Sequence, residues 1–316
     1  MDILTRTAAL PRFIFSFGDS GYGLTFYALS YLIGAGLALL LSNWRASKDG
    51  YPSDFFVNLF LWAFPMGIIG GRIWYVIAEW DEYASNPWNV FAIWEGGLAI
   101  QGGAILGVLT GIVFVKIRRR GVPLLQACDW AVPTILVAQM IGRWGNFFNG
   151  EVFGNAVSVS AYPWLPGFIV NQLGYQLIGG DAVLQLSDSE LFVPLFLIEG
   201  LLNIGGYFIL THGMEHVLRK WRVYGDEAFG YFVWYGVVRA VLEPLRYPDY
   251  NMNNGGSELE AEVMAFVFIG VGLALLIANH VFTKLREKGR IKYPSWLASF
   301  FDNGTDPKYL FAGKEE

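Results

Sequence analysis

Seven separate stretches of this chain are long and apolar enough to cross a lipid bilayer, and no other feature narrows the possible folds so far. They lie near residues 21–43, 56–79, 97–116, 123–143, 191–211, 227–246 and 261–283. A bilayer core takes roughly 20 apolar residues wound as a helix, because every backbone polar group must be satisfied inside the segment. The composition agrees. Of the 316 residues 54% are hydrophobic and only 16% are charged, and the mean hydropathy is +0.40. Soluble domains carry about 25% charged residues. Aromatics reach 17%, with twelve tryptophans, as expected of belts at the two membrane interfaces. The expected fold is an all-α polytopic membrane protein with seven transmembrane helices. The seven-helix domain covers 1–283, with 144–190 as an extracytoplasmic loop or cap, and a basic-then-polar tail covers 284–316.

Loop charges predict the orientation. Arg45 and Lys48 follow the first span. Lys116, Arg118, Arg119 and Arg120 follow the third, and Arg219, Lys220 and Arg222 follow the fifth. Lys284, Arg286, Lys288, Arg290 and Lys292 follow the seventh. The loops near 80–96, 144–190 and 247–260 hold no Lys or Arg. By the positive-inside rule this alternation puts the N-terminus outside and the C-terminus in the cytoplasm, although Arg6 and Arg12 count mildly against it. Residues 7–17 are too short and interrupted for a signal peptide and read as an interfacial segment of the mature chain.

Several function classes drop out. There is no long basic aromatic stripe for nucleic acid. The single cysteine, Cys128, sits in an apolar segment and makes no CxxC pattern. His212 and His216 are four apart but lack HExxH, and no residue pattern calls for a metal or a cofactor. No 20–50-residue period repeats. The glycines Gly103, Gly107 and Gly111, with Gly67 and Gly71, have the four-residue spacing that lets membrane helices approach closely.

The informative residues are ionisable groups inside the spans, each of which costs about 2.5–3.5 kcal/mol to insert. Arg72 lies past the middle of the second span, and Arg143 closes the fourth. Tyr235, Arg239, Glu243 and Arg246 recur at helical spacing on one face of the sixth, and Pro244 should kink that helix. Gln101 and Tyr22 sit at the outer ends of the third and first spans. Under the charge-derived topology all of these fall at the outer side. Independent snorkelling accounts for Arg246 and Arg143, but less well for the deeper Arg72 and Arg239. Convergence on one cavity with surplus positive charge accounts for all of them. Such a cavity suits an anion, and guanidinium forks match phosphate; in the outer leaflet that phosphate is a phospholipid headgroup. Glu199 and Asp129 are further embedded carboxylates, readable as interhelical hydrogen-bond partners or as site residues.

The densest local feature ends the fourth span: Gly142-Arg143-Trp144-Gly145-Asn146-Phe147-Phe148-Asn149-Gly150-Glu151-Val152-Phe153-Gly154. It closely resembles the GRxGNFxNxExxG signature of the prolipoprotein diacylglyceryl transferases. Tyr22-Gly23-Leu24, Gly70-Gly71-Arg72-x-x-Tyr75 and Tyr235-Gly236-x-x-Arg239-x-x-x-Glu243-x-x-Arg246 resemble three further family motifs, in the family's order. Two segments depart from it. Gln101 stands where many members have His, so no imidazole base is available there. Val193-Pro194-Leu195-Phe196-Leu197-Ile198-Glu199 keeps only the Pro, Leu and Glu of HPxQLYE.

The resemblance implies a bacterial inner-membrane transferase with its site toward the extracytoplasmic face. It would move the diacylglyceryl group of phosphatidylglycerol to the lipobox cysteine of a preprolipoprotein, giving a thioether and glycerol phosphate. It further implies Arg143, Arg239, Glu243 and Tyr22 as catalytic residues. Asn146, Asn149, Glu151, Gly154, Arg72, Gln101, Tyr235 and Arg246 would bind substrate, and the partners would be the two substrates and membrane lipid. The residues leave the thiol's base open among Tyr22, Glu243 and the cationic field. Two other readings stay open: a silent relative that binds lipid or signal peptide, and an anion transporter, which would need repeats and a polar path to the cytoplasmic face.

Overall fold

The computed structural model describes residues 10–11, 13–16, 23–93, 96–118, 122–177, 183–246 and 258–288. It is mostly helical. Among the described residues, five helical stretches are long and apolar enough to cross a membrane: Phe26–Lys48, Phe55–Ala78, Leu124–Asn149, Leu195–Val217 and Ala261–Leu285. Helices at the other two expected positions are shorter in apolar length: Ile100–Arg118 and Asp226–Leu242. Two compact units divide the chain, 1–38 with 131–291 and 39–130 with 292–316.

The first unit begins with strands β1 (Phe13–Ser16) and β2 (Gly23–Thr25), paired antiparallel. Helix α1 (Phe26–Lys48) follows and passes from the first unit to the second. Its first half packs on α6 (Thr134–Asn149) through small residues. Gly34 lies against the Ala138 carbonyl and Gly145 against Tyr27 and Ser30. Between α6 and α8 (Leu195–Phe208) the segment expected as a loop or cap consists of short pieces. β3 (Ala156–Ser158) pairs with β6 (Glu190–Phe192), and β4 (Tyr175–Leu177) pairs with β5 (Val183–Gln185), all antiparallel. A one-and-a-half-turn helix, α7 (Gly167–Gln172), lies between. These strands add β structure to an all-helical expectation. Leu165, Ile169, Val170, Leu173 and Leu191 of the cap bury against Phe147 and Phe196, so one apolar core joins the cap to the helix ends. Gln172 of α7 donates to the Phe147 and Phe148 carbonyls (3.1 and 3.4 Å) in the last turn of α6, where the Phe147 carbonyl also accepts from the Gly150 amide (3.2 Å). Helix α9 (Asp226–Leu242) packs on the last helix, α10 (Glu258–Glu287).

The expected kink at Pro244 is a stop instead. Helix α9 ends at Leu242, Glu243–Leu245 forms one 3₁₀ turn, and Arg246 is extended. Proline has no N–H for the ladder and crowds the carbonyl four residues back. Arg246 therefore leaves the helical face it was expected to share with Tyr235, Arg239 and Glu243. It forms an isolated antiparallel bridge with Gly154 instead.

The second unit holds the end of α1, α2 (Phe55–Ala78), the short α3 (Trp80–Ala84), α4 (Ile100–Arg118) and α5 (Leu124–Ala131). The fourth expected span is thus two helices, α5 and α6, broken near Val132 and Pro133. Glycines do set the α2–α4 contact, but the closest pair is Gly70 with Gly102. A Cβ on Gly102 would stand 2.2 Å from the Gly70 carbonyl oxygen. Gly67 meets Gly103, and Gly111 has nothing within 4 Å. The backbones approach so closely that the Ala99 amide donates to the Gly71 carbonyl (3.0 Å).

Candidate active site

The first unit gathers nine of the twelve expected site residues. Helix α6 ends at Asn149, and Gly150 caps it in the left-handed region (φ 68°). Gly150 suits that conformation because it has no Cβ. Two residues on, Val152 is also left-handed (φ 58°), and it is buried. A β-branched residue there is strained by about 1–3 kcal/mol. Together these residues fold the turn back over the helix end. The Glu151 amide donates to the Asn146 carbonyl (2.9 Å). The Glu151 carboxylate accepts from the side-chain amides of Asn146 (3.4 Å) and Asn149 (3.3 Å). Gly154 then donates to the Val193 carbonyl (3.1 Å), and a Cβ there would stand 2.8 Å from the Leu245 carbonyl oxygen. Any larger residue would push the Leu245–Arg246 backbone away from this turn.

Three guanidiniums and two carboxylates alternate beside the turn. Arg143 of α6 pairs with Glu199 of α8. Arg246 reaches Glu199 (3.9 Å) and Glu243 (3.3 Å), and Glu243 also pairs with Arg239 one helical turn back (2.9 Å). The carboxylates are the buried members: the side chains of Glu199 and Glu243 are 3% and 6% exposed, against 17% and 19% for Arg143 and Arg239. Buried charges persist when they are paired and hydrogen-bonded. The two carboxylates therefore hold Arg143 and Arg239, which stay partly open, while the Arg246 side chain is itself only 9% exposed. The cluster keeps an excess of one positive charge, less than the sequence suggests, because Glu199 joins it. Tyr235 stacks on Tyr231 (centroids 6.0 Å apart) and meets Phe268 edge-on.

Glu199, readable from the sequence as an interhelical partner or as a site residue, pairs with two of the three arginines. Its signal was a carboxylate in the outer half of an apolar span. That signal could not separate a site role from an interhelical bond, and the structure shows two guanidinium partners 56 and 47 residues away in sequence.

Arg72 and Gln101 belong to the second unit. Arg72 is buried, and all five of its N–H groups donate to carbonyls. The acceptors are Val90 (2.8 Å), Asn89 (2.6 Å), Ala92 (3.3 Å), Gly96 (2.8 Å) and Gly97 (3.0 Å). Guanidinium has five N–H donors and no more. Arg72 thus gathers the segment that leads into α4, where Gln101 stands exposed in the first turn. Gly97 is left-handed (φ 70°), and a Cβ on it would meet an Arg72 nitrogen at 2.5 Å. Tyr22 lies outside the described residues. Among the described residues no group of three or more His, Cys, Asp or Glu could hold a metal ion.

Residues 13–278 match the family model described as prolipoprotein diacylglyceryl transferase. The chain is 34% identical over 270 residues to the phosphatidylglycerol–prolipoprotein diacylglyceryl transferase of Lysinibacillus sphaericus, covering 84% of this chain and 90% of that protein. It is 35% identical over 261 residues to the protein of the same name from Shouchella clausii (82% and 87%). It is 37% identical over 259 residues to the one from Bacillus cereus (80% and 87%).

Proposed function

We propose that this chain, which belongs to the prolipoprotein diacylglyceryl transferase family, transfers the diacylglyceryl group of phosphatidylglycerol to a prolipoprotein. The acceptor is the lipobox cysteine. The cysteine sulfur forms a bond to the terminal glycerol carbon of the lipid as that carbon's bond to the phosphate oxygen breaks. The products are a thioether and glycerol phosphate, and the thiol proton leaves with the phosphomonoester or to water.

One observation carries this reading: three guanidiniums from two helices and the segment after α9, two of them partly open, backed by two buried carboxylates beside the signature turn. Negative charge grows on the phosphate as the carbon–oxygen bond breaks. Guanidiniums already held in place stabilise that charge without reorganising, which is worth most in a water-poor site. Arg143 and Arg239 take that role, with Glu243 fixing Arg239 and Arg246 and Glu199 fixing Arg143. Asn146, Asn149 and Glu151 bind the headgroup glycerol, Gly154 admits the Arg246 strand, and Tyr235 flanks the phosphate. Tyr22 and Gln101 keep the roles that the family resemblance implies, and Arg72 orders the segment that leads to Gln101. Seven spans complete the membrane domain, α4 and α9 adding to the five longer ones. The lysine and arginine distribution supports an outside N-terminus, a cytoplasmic C-terminus and a site facing outward from the bacterial inner membrane.

The test is complementation. In cells depleted of their own transferase, this chain restores growth and a lipid-dependent mobility shift of a reporter lipoprotein. Normal expression without the shift would reduce the protein to a silent lipid binder.

A further inference from the structure

One helical turn from the arginine cluster, on the side away from the cap, lies a layer of polar atoms that the transfer reaction above does not use. Asn203 is 1% exposed, and neither its Oδ1 nor its Nδ2 has a hydrogen-bond partner. The indole Nε1 of Trp234 and the Oε1 of Gln139 are likewise buried and unpartnered. A polar atom buried without a partner is rare and destabilising, and three such side chains from three helices in one unit call for an explanation.

The residues share a level. Asn203 follows Glu199 by four residues on α8, and Gln139 precedes Arg143 by four on α6. Gln139 donates to the Tyr231 hydroxyl (3.1 Å), and Tyr231 precedes Trp234 by three on α9. Gly206, three residues beyond Asn203, leaves room for the indole: a Cβ there would stand 2.2 Å from Trp234 Nε1. Four residues along a helix are about 6 Å, so the layer lies roughly that far below the guanidiniums.

The chemistry is mostly that of donors. Indole N–H donates only, and Asn203 offers an amide N–H₂. The oxygen and nitrogen of a glutamine amide are assigned from the hydrogen-bond network. With the Gln139 amide turned over, the Tyr231 hydroxyl donates to its oxygen and its N–H₂ becomes a third free donor. A diacyl phospholipid whose phosphate lies at the arginines presents, one step deeper, two ester carbonyls, which only accept. Its headgroup hydroxyls lie on the other side of the phosphate, toward the cap.

We propose that Asn203, Trp234 and Gln139 form a subsite for the ester carbonyls of the lipid, reading its acyl linkage; this rests on the arginines holding its phosphate. The layer is closed around these atoms in the structure, so side chains rearrange as the lipid enters.

The test is binding, which needs no turnover. Purified full-length protein in detergent is loaded with a fluorescent phosphatidylglycerol. This is displaced by dioleoyl phosphatidylglycerol or by its diether analogue with the same chains. The wild type prefers the diester about tenfold, the effect of one good hydrogen bond at a buried group. Asn203→Leu and Trp234→Phe each bring that ratio toward one, with little change for the diether. Equal affinity of the wild type for the two lipids overturns the proposal, as does a loss that is the same for both lipids in the two variants. Arg143→Ala weakens both lipids alike. If it weakens neither, the phosphate site fails, whatever the ratio shows. Trp234→Phe keeps the ring and, with a melting curve on each variant, separates recognition from misfolding.

Discussion

Arg72 and Arg143 are both arginines within apolar helices, yet their surroundings are opposite. Arg72 is closed off by five backbone carbonyls, neutral acceptors that take every N–H it has. Arg143 meets one buried carboxylate and keeps part of its guanidinium open. Both solve the problem of a cation in a low-dielectric setting, but only one leaves donors for a ligand. Hydrogen bonds to carbonyls tie a loop together, whereas a paired carboxylate balances charge from one side and leaves the other free. The kind of partner, more than burial, separates an arginine that builds structure from one that can serve a reaction.

That contrast breaks first at the open arginines. Arg143→Ala or Arg239→Ala should lower transfer activity by about 10²–10³-fold or more, measured with purified protein and a lipobox peptide, while the protein still folds with a melting temperature lowered by the loss of a partner for a buried carboxylate. Full activity in either variant sinks the phosphate clamp.

Arg72→Ala should do the reverse and act through folding. It leaves several carbonyls without donors, each costing about 1–3 kcal/mol if it stays dry. A large drop in melting temperature should therefore precede any activity effect. Arg72→Lys should recover little, since an ammonium brings three donors in place of five. A stable Arg72→Ala protein would show that the loop holds itself.

Glu199→Gln sharpens the comparison, because it keeps the shape but makes the partner neutral. Charge-assisted hydrogen bonds are roughly twice as strong as neutral ones, so Arg143 and Arg246 should be less well held, with activity down about tenfold. The fall should appear in kcat more than in KM. An unchanged rate would reduce Glu199 to packing.

The smallest effect is expected at Gln101. Gln101→His should raise activity a few-fold and add a limb to the pH profile near the ordinary imidazole range, about pH 6.5. No change would mean that the reaction does not use a base at that position.

The motif around Arg143 was legible because its residues are neighbours in sequence, and the turn they make is local. The partnership of Arg143 with Glu199 was not, because it joins residues 56 apart through the packing of α6 on α8. Val152 gave no warning either: nothing in a valine announces a left-handed backbone, which the surrounding turn imposes. Pro244 was read as a kink, but whether a helix bends or stops depends on what receives its freed carbonyls, and here the chain turns away to pair with Gly154.

By itself the sequence determined that the chain is a helical membrane protein, that lysine and arginine alternate between its loops, and that four motifs stand in family order. These are properties of composition and spacing, and they add up residue by residue. Only the tertiary structure decided which cations are already bonded, which carboxylates stand behind the open ones, and which polar side chains lie buried without partners. Those are properties of pairs, set by which helix faces meet. A linear pattern can say that an arginine lies in a span, but its free donors can be counted only once the chain has folded around it.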